Sequence, residues 1–185
     1  AALYYPFALS LLKDGKLEAA NRAIEQMVLI GANTPELHIL LSQANYERGE
    51  TAKALEELRA ALALDDKVRL AHFYSGLIYL KDGKMDLAAR EFESELVVNP
   101  NDVTAKYHLG FVTLAQQQSE RGIKLMREVI RERPDFADAY YELGKALLQQ
   151  GDVAGSVTNL ETAARLRPDQ PHVHAQLGGF LFRRE

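Results

Sequence analysis

Apolar residues along this chain recur three and four apart, and that recurrence itself repeats. Between 137 and 170, Tyr140, Leu143, Gly144 and Leu147 fall on one stripe of a helix. Gly151-Asp152 interrupts the stripe, and Val153, Ser156, Leu160, Ala163 and Leu166 trace a second one that Pro168 closes. Glycine takes the left-handed conformation that ends a helix at little cost, and proline cannot extend one. The stretch therefore reads as helix–turn–helix. Its landmarks return every 34 residues: Pro100, Pro134 and Pro168; Gly76, Gly110, Gly144 and Gly178; Gly15, Gly49 and Gly83, with Gly151 two periods on. Three series sharing one period indicate a repeat architecture. Framed from Ala1, the chain holds five units (1–34, 35–68, 69–102, 103–136, 137–170) and a remainder, 171–185, long enough for one further helix. Pro35 and Pro171 open their units, where the first helical turn tolerates proline. Pro6 is expected to start the first helix, with Tyr4 and Tyr5 in the extended entry to it.

Within each unit the second helix carries a small residue, Ala20, Ala54, Ala88, Gly122 or Ser156, followed four residues later by Ile24, Leu58, Phe92, Met126 or Leu160. The pattern aromatic-x2-Leu-Gly, then small, large apolar, Ala and Pro over 34 residues resembles the tetratricopeptide repeat (TPR) along the whole chain. The resemblance implies an all-α, right-handed superhelical solenoid: one domain over 1–185, with five helix-turn-helix repeats plus one extra helix. Unit four departs most, with Thr113 at an apolar position and Gln116-Gln117-Gln118-Ser119 where the glycine turn belongs. That turn is expected to be the least regular, without being a domain boundary. Ser75 also replaces a core leucine, and Asp66 a terminal proline.

The resemblance places the first helices along a concave groove and the second helices on the convex back. Carried onto this sequence, it assigns position five of the units to the groove, with Ile39, Phe73, Tyr107 and Tyr141. Position nine adds Gln43, Leu77, Phe111 and Lys145, and position twelve, with Tyr46 and Leu114, is part groove and part core. Aromatic and aliphatic side chains at one-repeat spacing suit a peptide or helix of a partner protein with apolar anchors. Two specialised TPR sites are excluded by their residues. Leu40, Leu70 and Tyr74 stand where a carboxylate clamp needs Lys and Asn, and His108 and Glu142 stand where an asparagine ladder needs Asn. In the remainder, the helix with Leu177, Phe180, Leu181 and Phe182 is expected to pack on unit five as a weak cap or, alternatively, to form a self-association end through which the chain would form a homodimer.

Composition narrows the function further. The 185 residues carry 22 Lys+Arg against 26 Asp+Glu, a formal charge of −4, and no Cys or Trp. There is thus no disulfide, thiolate nucleophile or Cys-bound metal. The net charge offers no general attraction to nucleic acid. No apolar run reaches the roughly 18 residues of a membrane span. The opening Ala-Ala-Leu-Tyr-Tyr-Pro lacks an initiator Met and a signal layout, and it leads us to expect a segment of a longer polypeptide. No phosphate-loop, dinucleotide or zinc-protease motif is present. His172 and His174 would point apart on a helix, so neither metal nor cofactor is expected. His38, His72 and His174, at position four, read as packed imidazoles, while Glu56, Glu57, Glu91, Glu93 and Glu95 read as solvent-facing. Unit four alone is positive, and Lys124, Arg127 and Arg131 are expected to pair with the interleaved Glu128 and Glu132. The expected function is non-catalytic protein–protein recognition in the groove. The alternative is a structural spacer or self-association module of a larger multidomain protein.

Overall fold

The structure, a computed structural model, describes residues 4–29 and 33–169. Those residues form ten α-helices and no strand: α1 (Tyr4–Lys13), α2 (Leu17–Leu29), α3 (Pro35–Glu47), α4 (Thr51–Leu64), α5 (Ala71–Lys81), α6 (Met85–Val98), α7 (Val103–Ala115), α8 (Ser119–Glu132), α9 (Ala137–Gln149) and α10 (Val153–Leu166). They pack as five successive hairpins, α1 with α2 through α9 with α10. The helix anticipated over 171–185, with its candidate self-association end, lies outside the described residues. Chain contacts divide the molecule after Pro100 into two compact units, Ala1–Pro100 with α1–α6 and Asn101–Glu185 with α7–α10. In the first, α3 packs on α1, α2 and α5, and α4 packs on α5; in the second, α9 packs on α7 and α8.

Each hairpin closes on matched small and large side chains. The small position of the second helix is fully buried, with Ala20, Ala54, Ala88 and Ser156 all 0% exposed. At its counterpart Gly122, a methyl group would meet the Leu114 side chain of α7 at 2.5 Å. The first helix has its own small position. A methyl on Gly76 would lie 2.6 Å from the Phe92 ring, and one on Gly144 would lie 2.8 Å from Leu160 Cγ. Interiors packed to crystal-like density leave no room for that carbon, so the two helices sit as close as their backbones allow.

Where the structure departs from expectation, a local cause is visible. Helix α1 begins at Tyr4, not at Pro6. Pro6 is then the third residue of the helix, still among the first four whose N–H groups have no intrahelical partner. The glutamine-rich turn of unit four is regular. Gln117 takes φ +63, the left-handed conformation that Gly15, Gly49, Gly83 and Gly151 adopt at φ +69 to +85 at the equivalent repeat position. Its NH donates to Leu114 O, as Gly83 NH does to Leu80 O. Here the repeat frame imposes the turn on a residue that does not favour it.

The largest irregularity is at α5. Thr34 and Asp102 cap α3 and α7 by accepting from backbone N–H groups in the first turn. The equivalent residue ahead of α5 is Val68, which cannot cap. Helix α5 starts only at Ala71, and Leu70 before it is left-handed at φ 76. The first-turn donors turn instead to Glu95 of α6. Leu70 NH lies 3.0 Å from both carboxylate oxygens, and Phe73 NH donates to Oε2 at 3.2 Å. Glu95 is fully buried, at a position that Met27, Ala61, Val129 and Ala163 fill with apolar groups. The solvent-facing role expected for it is therefore wrong. A missing cap alone does not displace a helix start, because Phe136 caps nothing and α9 still begins in register. What distinguishes α5 is a buried carboxylate facing the positive end of the helix.

Two substitutions test these assignments. Gln117→Gly removes a left-handed cost of about 1–2 kcal/mol, less the extra freedom that glycine has when unfolded. A net gain of about 0.5–1 kcal/mol in urea unfolding is expected, and a loss would count against the turn assignment. Glu95→Ala strands buried N–H groups and should cost on the order of 3 kcal/mol. Unchanged stability would mean that the carboxylate does not hold α5.

Candidate functional site

Two pockets open along the first helices, one in each unit. In the first unit, Leu12 of α1, Ser42, Gln43, Tyr46 and Glu47 of α3, and Tyr74, Leu77 and Ile78 of α5 enclose about 210 Å³. In the second, Phe111, Leu114 and Ala115 of α7, with Glu142, Lys145, Ala146 and Gln149 of α9, enclose about 180 Å³. The two are the same site by register. Positions 43, 46, 47, 74, 77 and 78 map, two periods on, to 111, 114, 115, 142, 145 and 146. Each pocket lies between positions nine, twelve and thirteen of one repeat and six, nine and ten of the next.

Their chemistry differs. In the first unit the walls are mainly aromatic and aliphatic. Lys81 Nζ sits 4.4 Å from the centre of the Tyr46 ring, a cation–π contact at the pocket's edge. Gln43 Nε2 is shut off from solvent and has no hydrogen-bond partner among the described residues. In the second unit the polar groups answer one another: Lys145 Nζ donates to Glu142 Oε2 at 2.9 Å and lies 5.1 Å from the Tyr141 ring centre.

All four position-nine residues named from sequence therefore lie at the pockets, whereas no position-five residue lines either one and Ile39 alone among them is in the core. Ile39 is 1% exposed, clustered with Leu58, Ala61 and Ile78, and offers no surface to a ligand. Phe73 packs on Phe92 and Tyr74 at centroid distances of 6.0 and 5.5 Å. Tyr107 stacks on Phe136 at 4.8 Å. Burial, then the nearby Glu142 and Asp138, raises the Tyr107 phenol above its ordinary range, with Arg167 opposing. Tyr141 stays partly exposed. Tyr74 and Glu142, at position six, were missed as wall residues, although their spacing of two periods was readable.

Two imidazoles pack as expected and have partners that were not anticipated. His38 Nδ1 lies 2.6 Å from Glu57 Oε2, and His72 Nδ1 lies 2.7 Å from Glu91 Oε2. Each pair spans one hairpin at the same repeat positions, so Glu57 and Glu91 do not simply face solvent. His108, half-buried beside Tyr107, has its pKa pulled down to about 4 by desolvation, with Asp102 acting in the opposite direction. Among the described residues no three His, Asp or Glu side chains gather as a metal site, and no helix is long and apolar enough to cross a membrane. Among the described residues no ion pair joins Lys124, Arg127 or Arg131 to Glu128 or Glu132. Glu132 Oε1 accepts from the buried Lys106 Nζ at 2.6 Å.

The hairpins, the 34-residue register and the small-to-large contacts define a tetratricopeptide-repeat protein. More narrowly, the chain belongs to the family described as protein kinase G tetratricopeptide repeat, whose model matches residues 10–181. Comparison with curated proteins finds no match. Among solved structures, MamA residues 41 to the end from Desulfovibrio magneticus RS-1 is 23% identical, over 92% of this chain and 96% of that one, with a TM-score of 0.73. PilF of Pseudomonas aeruginosa is 16% identical, over 99% of this chain and 85% of that one, with a TM-score of 0.86. YrrB, described as a TPR protein with an unusual peptide-binding site, is 18% identical over 94% and 90% of the two chains, at a TM-score of 0.71.

His108 makes the second unit sensitive to acid. Its folded pKa lies below the unfolded value of about 6.5, so between about pH 6.5 and 4 the unfolded chain binds the proton and the folded chain does not. Stability is thus full above that window and falls through it as pH drops, by on the order of 2 kcal/mol. Urea midpoints at pH 7 and pH 4.5 should differ less for His108→Gln than for the native chain; equal differences would remove His108 as the cause.

Proposed function

We propose that this chain is a non-catalytic scaffold for protein–protein interaction, holding a peptide or helix of a partner protein along its first helices. The observation that supports the reading most is the recurrence of one pocket at equivalent repeat positions in both units. A cleft lined by first helices at equivalent repeat positions suits a peptide or helix that presents apolar anchors. Positions Gln43, Leu77, Phe111 and Lys145 form the core of this proposed surface, with Phe73, Tyr107 and Tyr141 packing beneath or beside it. The scaffold is preformed, so little ordering entropy is lost on its side when a ligand binds. The likeness to YrrB, whose description includes a peptide-binding site, agrees with the reading. The family match runs across both units, and on that ground we treat 1–185 as one repeat domain. No cofactor, metal or nucleic acid enters this function.

A second reading draws on the family description, which names the repeats of a protein kinase. In it the chain is a spacer or self-association module within a larger polypeptide, and Leu177, Phe180, Leu181 and Phe182 make the contact. One experiment separates the two. The chain and a Leu77→Lys/Lys145→Glu variant, matched in circular dichroism and urea unfolding, are used to capture partners from a lysate of the source organism. Proteins retained by the native chain and lost by the variant are the expected result. Equal retention by both would overturn the groove reading, and no partner for either would favour the spacer.

A further inference from the structure

We propose that the pocket of the first unit is an anchor site for one large apolar side chain of a bound peptide, with the Gln43 amide holding the peptide main chain beside it. The inference rests on the groove reading and goes further by stating what the groove selects. Leu12, Tyr46, Tyr74, Leu77 and Ile78 supply the walls, around a space of about 210 Å³. That is below the roughly 300–1,000 Å³ of pockets that take drug-sized molecules, and it matches a single leucine, methionine or phenylalanine side chain. Burying such a group against apolar walls is the dominant source of affinity in recognition of this kind.

The repeat itself shows that these walls are not apolar by necessity. At the equivalent positions of the second unit, Tyr74 is replaced by Glu142 and Leu77 by Lys145, and the fold accommodates the charged pair there, while Gln43 and Glu47 give way to Phe111 and Ala115. The apolar character of the first pocket is therefore a property of its residues and not of the backbone.

Gln43 supplies the second contact. It lines the pocket, and its Nε2 has no acceptor among the described residues. A buried amide without a partner is unfavourable in the free protein. The terminal amide torsion is broad and soft, so the group can turn to the pocket mouth once a carbonyl arrives. A peptide that inserts an apolar side chain brings such a carbonyl on the same residue. The occupant is thus an extended peptide segment of a partner protein, in which every residue carries a carbonyl beside its side chain.

The test uses the full chain, immobilised, to select from a phage-displayed library of random 12-residue peptides. Enriched peptides are then titrated by fluorescence anisotropy and followed through the Gln43 side-chain NH2 signals in 1H–15N spectra. The expected result is a shared large apolar residue whose change to alanine weakens binding about tenfold or more. Leu77→Lys should do the same, and the Gln43 signals should shift on binding. Gln43→Leu should weaken binding several-fold while raising the urea midpoint, because it removes the unpaired amide. Peptides that bind, ignore Leu77→Lys and are lost on Lys145→Glu would overturn the anchor assignment and leave the groove reading standing. Gln43 signals that stay in place would overturn the main-chain contact. A library that yields no peptide would overturn the groove reading and the anchor with it.

Discussion

The structure depends on how closely the two helices of each hairpin approach. Phe92 over Gly76, Met126 over Gly110 and Leu160 over Gly144 are one contact repeated, with a large side chain of the second helix lying where the first has none. The reciprocal contact sets small residues of the second helix against the first, as at Gly122 and Leu114. Neither helix could bury its apolar stripe alone, and the hairpin buries both only at this spacing. Once the spacing is fixed, the period, the turn geometry and the direction of every outward position follow.

The irregular places show the strength of that constraint. Gln117 accepts a left-handed backbone because helices α7 and α8 require the turn to close there. At α5 the outcome is different. Val68 provides no cap, Leu70 turns left-handed, and Glu95 gives up contact with water to accept three backbone contacts. A carboxylate without water is tolerated when N–H donors surround it. The hairpin keeps its spacing, and the cost falls on the helix start.

The fold was legible because it is written in positions whose residue type is forced, namely glycine, alanine, large apolar and proline at fixed intervals. Side-chain direction at groove positions was only partly legible. Position five is apolar or aromatic throughout while position nine mixes Leu77 and Phe111 with Gln43 and Lys145, and only packing separates Ile39, in the core, from Leu77, at a pocket. Glu95 was misread for a related reason. Sequence shows a glutamate on a helix with two other glutamates, and nothing local reveals that an uncapped helix start 25 residues earlier will claim it. The pairs His38–Glu57 and His72–Glu91 lay within reach, since both recur at one period, but only a search for covarying polar positions between repeats would have found them.

Repetition also explains why the two pockets can differ. The residues that hold the hairpins together are fixed by the spacing, whereas positions six and nine point away from it into the pockets. Tyr74 and Leu77 in one unit and Glu142 and Lys145 in the other occupy the same backbone sites with opposite chemistry. A duplicated scaffold therefore supplies several equivalent clefts whose residues are free to diverge, while the core that shapes them stays the same. A charged pair and an apolar wall stand at equivalent positions on the same backbone, so the residues and not the fold set the character of each cleft.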